Sequence, residues 1–98
     1  MTMYKITRIT RPNGEPVTDV GSIHRIGQEG HICQLEIGRP MVFAFTGESD
    51  GMALSTSKVL KVRSRAAHVL QVTTKNNSYY LKELDPPENA TKTRIVHE

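Results

Sequence analysis

The chain has 98 residues, 37% of them apolar and 23% charged, with a net charge of +3 and one cysteine. That is material for a single domain around one core, outside the disordered regime, and a lone Cys33 excludes an internal disulfide. The longest unbroken apolar run, Met41-Val42-Phe43-Ala44-Phe45, falls far short of the roughly 20 residues a membrane-spanning helix needs. The N-terminus interleaves charge with single apolar residues and has no signal-peptide core, so a cytoplasmic protein is expected.

In chain order, residues 3–11 read as a strand with a fault. Tyr4 and Ile6 share one face, whereas Ile9 falls on the other, which a β-bulge would reconcile. Pro12-Asn13-Gly14-Glu15-Pro16 forces a turn. Val20 to Ile26 reads as a short strand ended by a Gly27-Gln28-Glu29-Gly30 turn. Cys33 to Ile37 alternates as a strand, and Met41 to Thr46 reads as a buried strand starting just after Pro40. In that segment Phe43 and Phe45 share a face and are assigned to the core. Gly47 to Gly51 marks the next turn, before Met52-Ala53-Leu54.

The clearest patterning lies between Lys58 and Leu84. Leu60, Val62 and Ser64 alternate with Lys61, Arg63 and Arg65, giving an apolar face and a basic one. Ala66-Ala67-His68 interrupts the pattern, and Val69 to Thr74 suits a pleated surface. Asn76-Asn77, both tolerant of positive φ, would turn the chain into the strand Ser78 to Leu84. The three strands form a meander. Residues 1–84 thus make one β domain, and 85–98, broken by Pro86-Pro87, form a flexible tail or a short edge-docked strand at Ile95-Val96. No stretch keeps a helical apolar period. The fold class is all-β, a small SH3-like barrel or a two-layer sandwich. An OB-like barrel ranks below these because it carries a helix that the pattern does not reveal.

Leu54-x-Thr56-Ser57-x-Val59, followed by Val72-x-Thr74-x-Asn76 and Tyr80, resembles a group of small uncharacterised bacterial β proteins. They have a Thr-Ser-x-Val segment and a Thr-x-Asn-x-x-Tyr hairpin. The resemblance spans about a third of the chain, Leu54 to Leu84. It implies a compact β fold and a bacterial or mobile-element source, and no catalytic residue, cofactor or partner.

Chemistry-bearing motifs are sparse. His24, His31 and Cys33 lie within ten residues but lack the spacing of a zinc site, so two surface histidines and a small buried thiol are expected, with no metal. Ser55, Ser57 and Cys33 sit in no nucleophile motif, and Leu54-Ser55-Thr56-Ser57 reads as hydroxyls bonding nearby backbone. Gly27-x-x-Gly30 precedes no helix and is no phosphate loop. The expectation is a protein that is not an enzyme and uses no cofactor.

Charge is the informative feature. Residues 58–84 carry a net +5, more than the whole chain. Lys58, Lys61, Arg63, Arg65, Lys75 and Lys82 form the candidate binding surface. The leading expectation is an interaction or accessory module with a protein partner or a second copy of itself. The alternative is a nucleic-acid binder using the basic strand face, with Tyr79 or Tyr80 stacking on bases.

Overall fold

The computed structural model describes residues 2–47, 51–66 and 68–84. The tail expected at 85–98 lies outside the described residues. Six strands follow in order: β1 (Met3–Thr10), β2 (Glu29–Gln34), β3 (Pro40–Phe45), β4 (Ala53–Ala66), β5 (Val69–Thr74) and β6 (Ser78–Leu84), with one short helix, α1 (Val20–Arg25), between β1 and β2. Every strand pairs antiparallel with its sequence neighbour, and β6 pairs with β1, so one sheet closes into a barrel. Closure decides between the two architectures the sequence left open. It also leaves each strand a partner on both sides.

The core is the inside of that ring. Ile6, Met41, Phe43, Val59, Val72 and Leu81 are fully buried, with Ile9, Leu54 and Tyr79 beside them. Each such side chain contributes about 1.5–3 kcal/mol through removal from water. Phe43 and Phe45 both lie in this core, their rings edge to face at 5.7 Å. β1 carries the expected bulge: Ile6 pairs with Leu81 and Arg8 with Tyr80, so Thr7 is the extra residue and both Ile6 and Ile9 reach the core. The turn after β1 also forms, with Arg11 N–H donating to the Glu15 carbonyl at 2.7 Å and Gly14 at φ +92°.

Several expectations need correction. Val20 to Ile26 is not a strand. Asp19 caps α1, its Oδ2 accepting from the Ser22 N–H at 2.9 Å, and six residues are too few to display a helical period. The apolar residues of α1 point outward while Ser22 is buried, which removes the remaining signal. Cys33 to Ile37 is likewise not the strand: β2 begins four residues earlier and Ile37 is exposed in the following loop. Gly30 therefore belongs to β2 and not to a turn, whereas Gly27, at φ +96°, does turn.

The third correction concerns β4. Its inward residues are Leu54, Thr56, Val59 and Val62, and each step of three marks an extra residue. Bulges opposite β3 and β5 supply them, so Val59 takes the core position and Leu60, 55% exposed, does not share the face of Val62. The first half of β4 pairs with β3 and the second with β5. The β5–β6 hairpin forms where expected, and the fourth correction is to its backbone: neither Asn76 nor Asn77 has positive φ, and His68 is the only non-glycine residue with one among the described residues. A backbone hydrogen bond from Thr74 N–H to the Asn77 carbonyl closes the turn, and side chains brace it.

Candidate functional site

Two regions gather the polar and charged side chains. The first is the outer face of the sheet formed by β1, β6, β5 and β4. Because Ile9, Tyr79, Val72 and Val62 point inward, their neighbours point outward. The register then aligns a row across all four strands: Arg8 stands opposite Tyr80, Tyr80 opposite Gln71, and Gln71 opposite Arg63. The Arg8 guanidinium lies over the Tyr80 ring, 5.2 Å from its centroid, a cation–π contact that fixes both side chains. On one flank Lys5 faces Lys82, and on the other Thr73 faces Lys61. Lys5 and Lys82 are like charges directly opposite, which costs stability, although Glu29 adjoins Lys5 from β2.

These four strands carry Lys5, Arg8, Lys58, Lys61, Arg63, Arg65 and Lys82 against a single carboxylate, Glu83. Glu83 has the parity of the inner face and lies 3.4 Å from His68 Nδ1. Burial first, and then the Glu83 carboxylate, push the Tyr4 phenol above its ordinary range.

Of the residues chosen from sequence, Lys61, Arg63 and Lys82 lie on this outer face, and Arg65, exposed at its far end, is itself the extra residue of a further bulge. Lys58, in β4, and Lys75, in the β5–β6 turn, sit apart from these, joined where Lys75 N–H donates to the Lys58 carbonyl at 3.0 Å. Tyr80 faces outward and Tyr79 is buried. Arg8, Lys5 and Gln71 escaped sequence reasoning because they join the face through strand pairing and the Thr7 bulge. The expected buried thiol is a correction: Cys33 is exposed. His24 is exposed and His31 half-buried, and no metal-binding cluster forms among the described residues.

The second region is an open polar groove of about 530 Å³ between α1, the end of β1, the first half of β4 and the β5–β6 turn. A chain of hydroxyls runs from its lining residues Thr56 and Ser57 to the buried Thr74. Thr56 Oγ1 accepts from Met41 N–H at 3.0 Å and donates to the Ser57 carbonyl at 2.7 Å. Ser57 Oγ accepts from Asn76 N–H at 3.1 Å and donates to Thr74 Oγ1 at 2.9 Å. Thr74 Oγ1 also accepts from Asn77 N–H and donates to the Asn77 carbonyl, so it is fully satisfied. The Thr-Ser and Thr-x-Asn residues are thus a staple joining β3, β4 and the hairpin.

Arg11, Arg25 and Lys75 line the groove, with Asp19 as its only carboxylate among the described residues. The Ser22 backbone N–H, and after it the Ser22 hydroxyl, hold the Asp19 carboxyl below its usual range, with Arg11 acting in the same direction.

Fold and site together define a small all-β barrel with a basic outer sheet face and a separate polar groove. Compared with known proteins, the chain matches no family model, no curated protein and no solved structure. No helix among the described residues is long and apolar enough to cross a membrane.

Proposed function

We propose that this domain is a non-catalytic binding module whose ligand is single-stranded nucleic acid, laid across the outer face of β1, β6, β5 and β4. The observation that carries the reading is the aligned row Arg8, Tyr80, Gln71 and Arg63, flanked by Lys5, Lys82 and Lys61. Neighbouring strands are about 4.8 Å apart, so the row offers cations at both ends of a half-exposed aromatic and a central amide. Cations contact phosphates and release counterions, while an aromatic ring backed by a guanidinium stacks on any base. The non-catalytic part is supported by Thr56, Ser57 and Thr74, whose hydroxyl hydrogen bonds are spent on structure.

Fluorescence titration with a labelled mixed-sequence oligonucleotide at low salt tests this. Binding is expected, weakening steeply as salt rises. Tyr80→Ala should cost about 1–3 kcal/mol of it, the range for one stacked base. No saturable binding at low salt sinks the proposal.

One observation favours a second reading, a module that pairs with its own copy. Val20 is 81% exposed, Met52 65% and Ile23 51%. Val20 and Met52 line an apolar groove with Phe45. A two-fold axis through such a patch makes it self-complementary. Sedimentation velocity should then give a dimer that Val20→Ser with Met52→Ser converts to monomer; a wild-type monomer at high concentration discards this reading.

A further inference from the structure

We propose that the polar groove is a phosphomonoester site, separate from the basic sheet face and independent of what that face binds. Three cations reach it from three elements that are distant in sequence: Arg11 from the end of β1, Arg25 from α1 and Lys75 from the β5–β6 turn. None of the three forms an ion pair among the described residues. Asp19, the one carboxylate at the groove among the described residues, is occupied by capping α1 through Ser22. Among the described residues cations therefore outnumber carboxylates where they converge, and Arg11 acts on Asp19 without forming an ion pair.

The other lining groups suit the same ligand. Asn76 and Asn77 are anchored through their backbone N–H groups to Ser57 and Thr74, while their side-chain amides make no hydrogen bond among the described residues. The hydroxyl staple ties the backbone of the turn to β4, so the side chains of Asn76, Asn77 and Lys75 leave from a fixed backbone, which lowers part of the ordering cost of binding. A phosphomonoester dianion accepts several charge-assisted hydrogen bonds, and Arg and Lys are its usual partners. A volume of about 530 Å³ holds a phosphate with an attached sugar. The scarcity of apolar lining, with Leu54 and Tyr79 the main such contributors, fits a polar ligand body and not a lipid.

A free sugar phosphate and the 5′ end of a nucleic-acid strand both present this group. Nuclear magnetic resonance titrations separate them, with ribose 5-phosphate and ribose in one arm and a short oligonucleotide with and without its 5′-phosphate in the other. Saturable shifts of the Ser57, Lys75, Asn76 and Asn77 amides are expected with ribose 5-phosphate and not with ribose. If only the 5′-phosphorylated strand produces them, the site reads strand ends and the phosphomonoester assignment stands. Arg25→Gln with Lys75→Gln should weaken the response about ten- to a hundredfold, the loss expected for charge-assisted contacts. Charge reversal of Lys61, Arg63 and Arg65 should leave the ribose 5-phosphate response unchanged, so failure on the sheet face and failure in the groove are told apart. Equal shifts with ribose, no saturable shift with either phosphate, or full binding by the double variant overturns the proposal.

Discussion

Changing Lys61, Arg63 and Arg65 together to glutamate is expected to abolish oligonucleotide binding while the domain stays folded. All three side chains are exposed, so stability should move little. Binding should move a great deal. Each phosphate contact to a single strand contributes about 0.7 to the slope of log affinity against log salt, so losing three should flatten it by about 2. Reversal also places carboxylates on the face that carries Lys82 two strands away and Arg8 three strands away, which lowers the positive potential of the whole face. At low salt the expected loss is on the order of a hundredfold or more. Tyr80→Ala, by contrast, should lower affinity and leave the salt slope nearly unchanged. A reversed variant that binds like wild type, with the same slope, removes the sheet face as the nucleic-acid surface.

Gly30→Ala is expected to be the most damaging single-methyl change in the protein. Gly30 sits in β2 where β3 crosses closest: a Cβ there would collide with the Ala44 carbonyl and come within 2.8 Å of the Phe43 ring. Phe43 is fully buried and cannot swing away without displacing the core. Overpacking of this kind costs about 1–3 kcal/mol, and the upper end is expected here because backbone must shift. For a domain of this size each kcal/mol lowers the melting midpoint by about 4–8 °C. Gly21→Ala supplies the contrast. It lies in α1 at ordinary helical φ, its new Cβ would meet only Asp19 Oδ2 at 3.7 Å, and replacing glycine in a helix gains roughly 0.5–1 kcal/mol. Thermal unfolding of the pair should show shifts of opposite sign; equal stability of Gly30→Ala and wild type would mean that β2 and β3 do not pair as described.

Legibility along the chain followed burial pattern and turn chemistry. β3 was readable because Met41, Phe43 and Phe45 alternate without interruption, and the Thr7 bulge was readable because Ile6 and Ile9 are both strongly apolar and three apart. β4 was misread at Leu60 because two bulges change the parity of a strand whose local sequence alternates smoothly on the wrong register. A one-residue shift moves every side chain to the other face. α1 was missed for another reason: it is short and its burial is inverted, with Ser22 inside and Val20 outside. The hydroxyl staple was half visible. Thr56, Ser57, Thr74 and Asn76 stood out as a pattern, but only folding brings Ser57 within 2.9 Å of Thr74.

By itself, the sequence determined an all-β domain, the positions of most turns, a C-terminal meander and an excess of positive charge within it. These are local properties, set by side-chain alternation and by residues that restrict φ. Tertiary structure alone decided that the sheet closes, that β1 lies against β6, and that Arg8 and Tyr80 therefore share a row with Gln71 and Arg63. It also decided that Arg11, Arg25 and Lys75 meet at one groove. Pairing partners and bulge positions are chosen by how the whole core packs, and a charge count along the chain carries no information about which strands become neighbours.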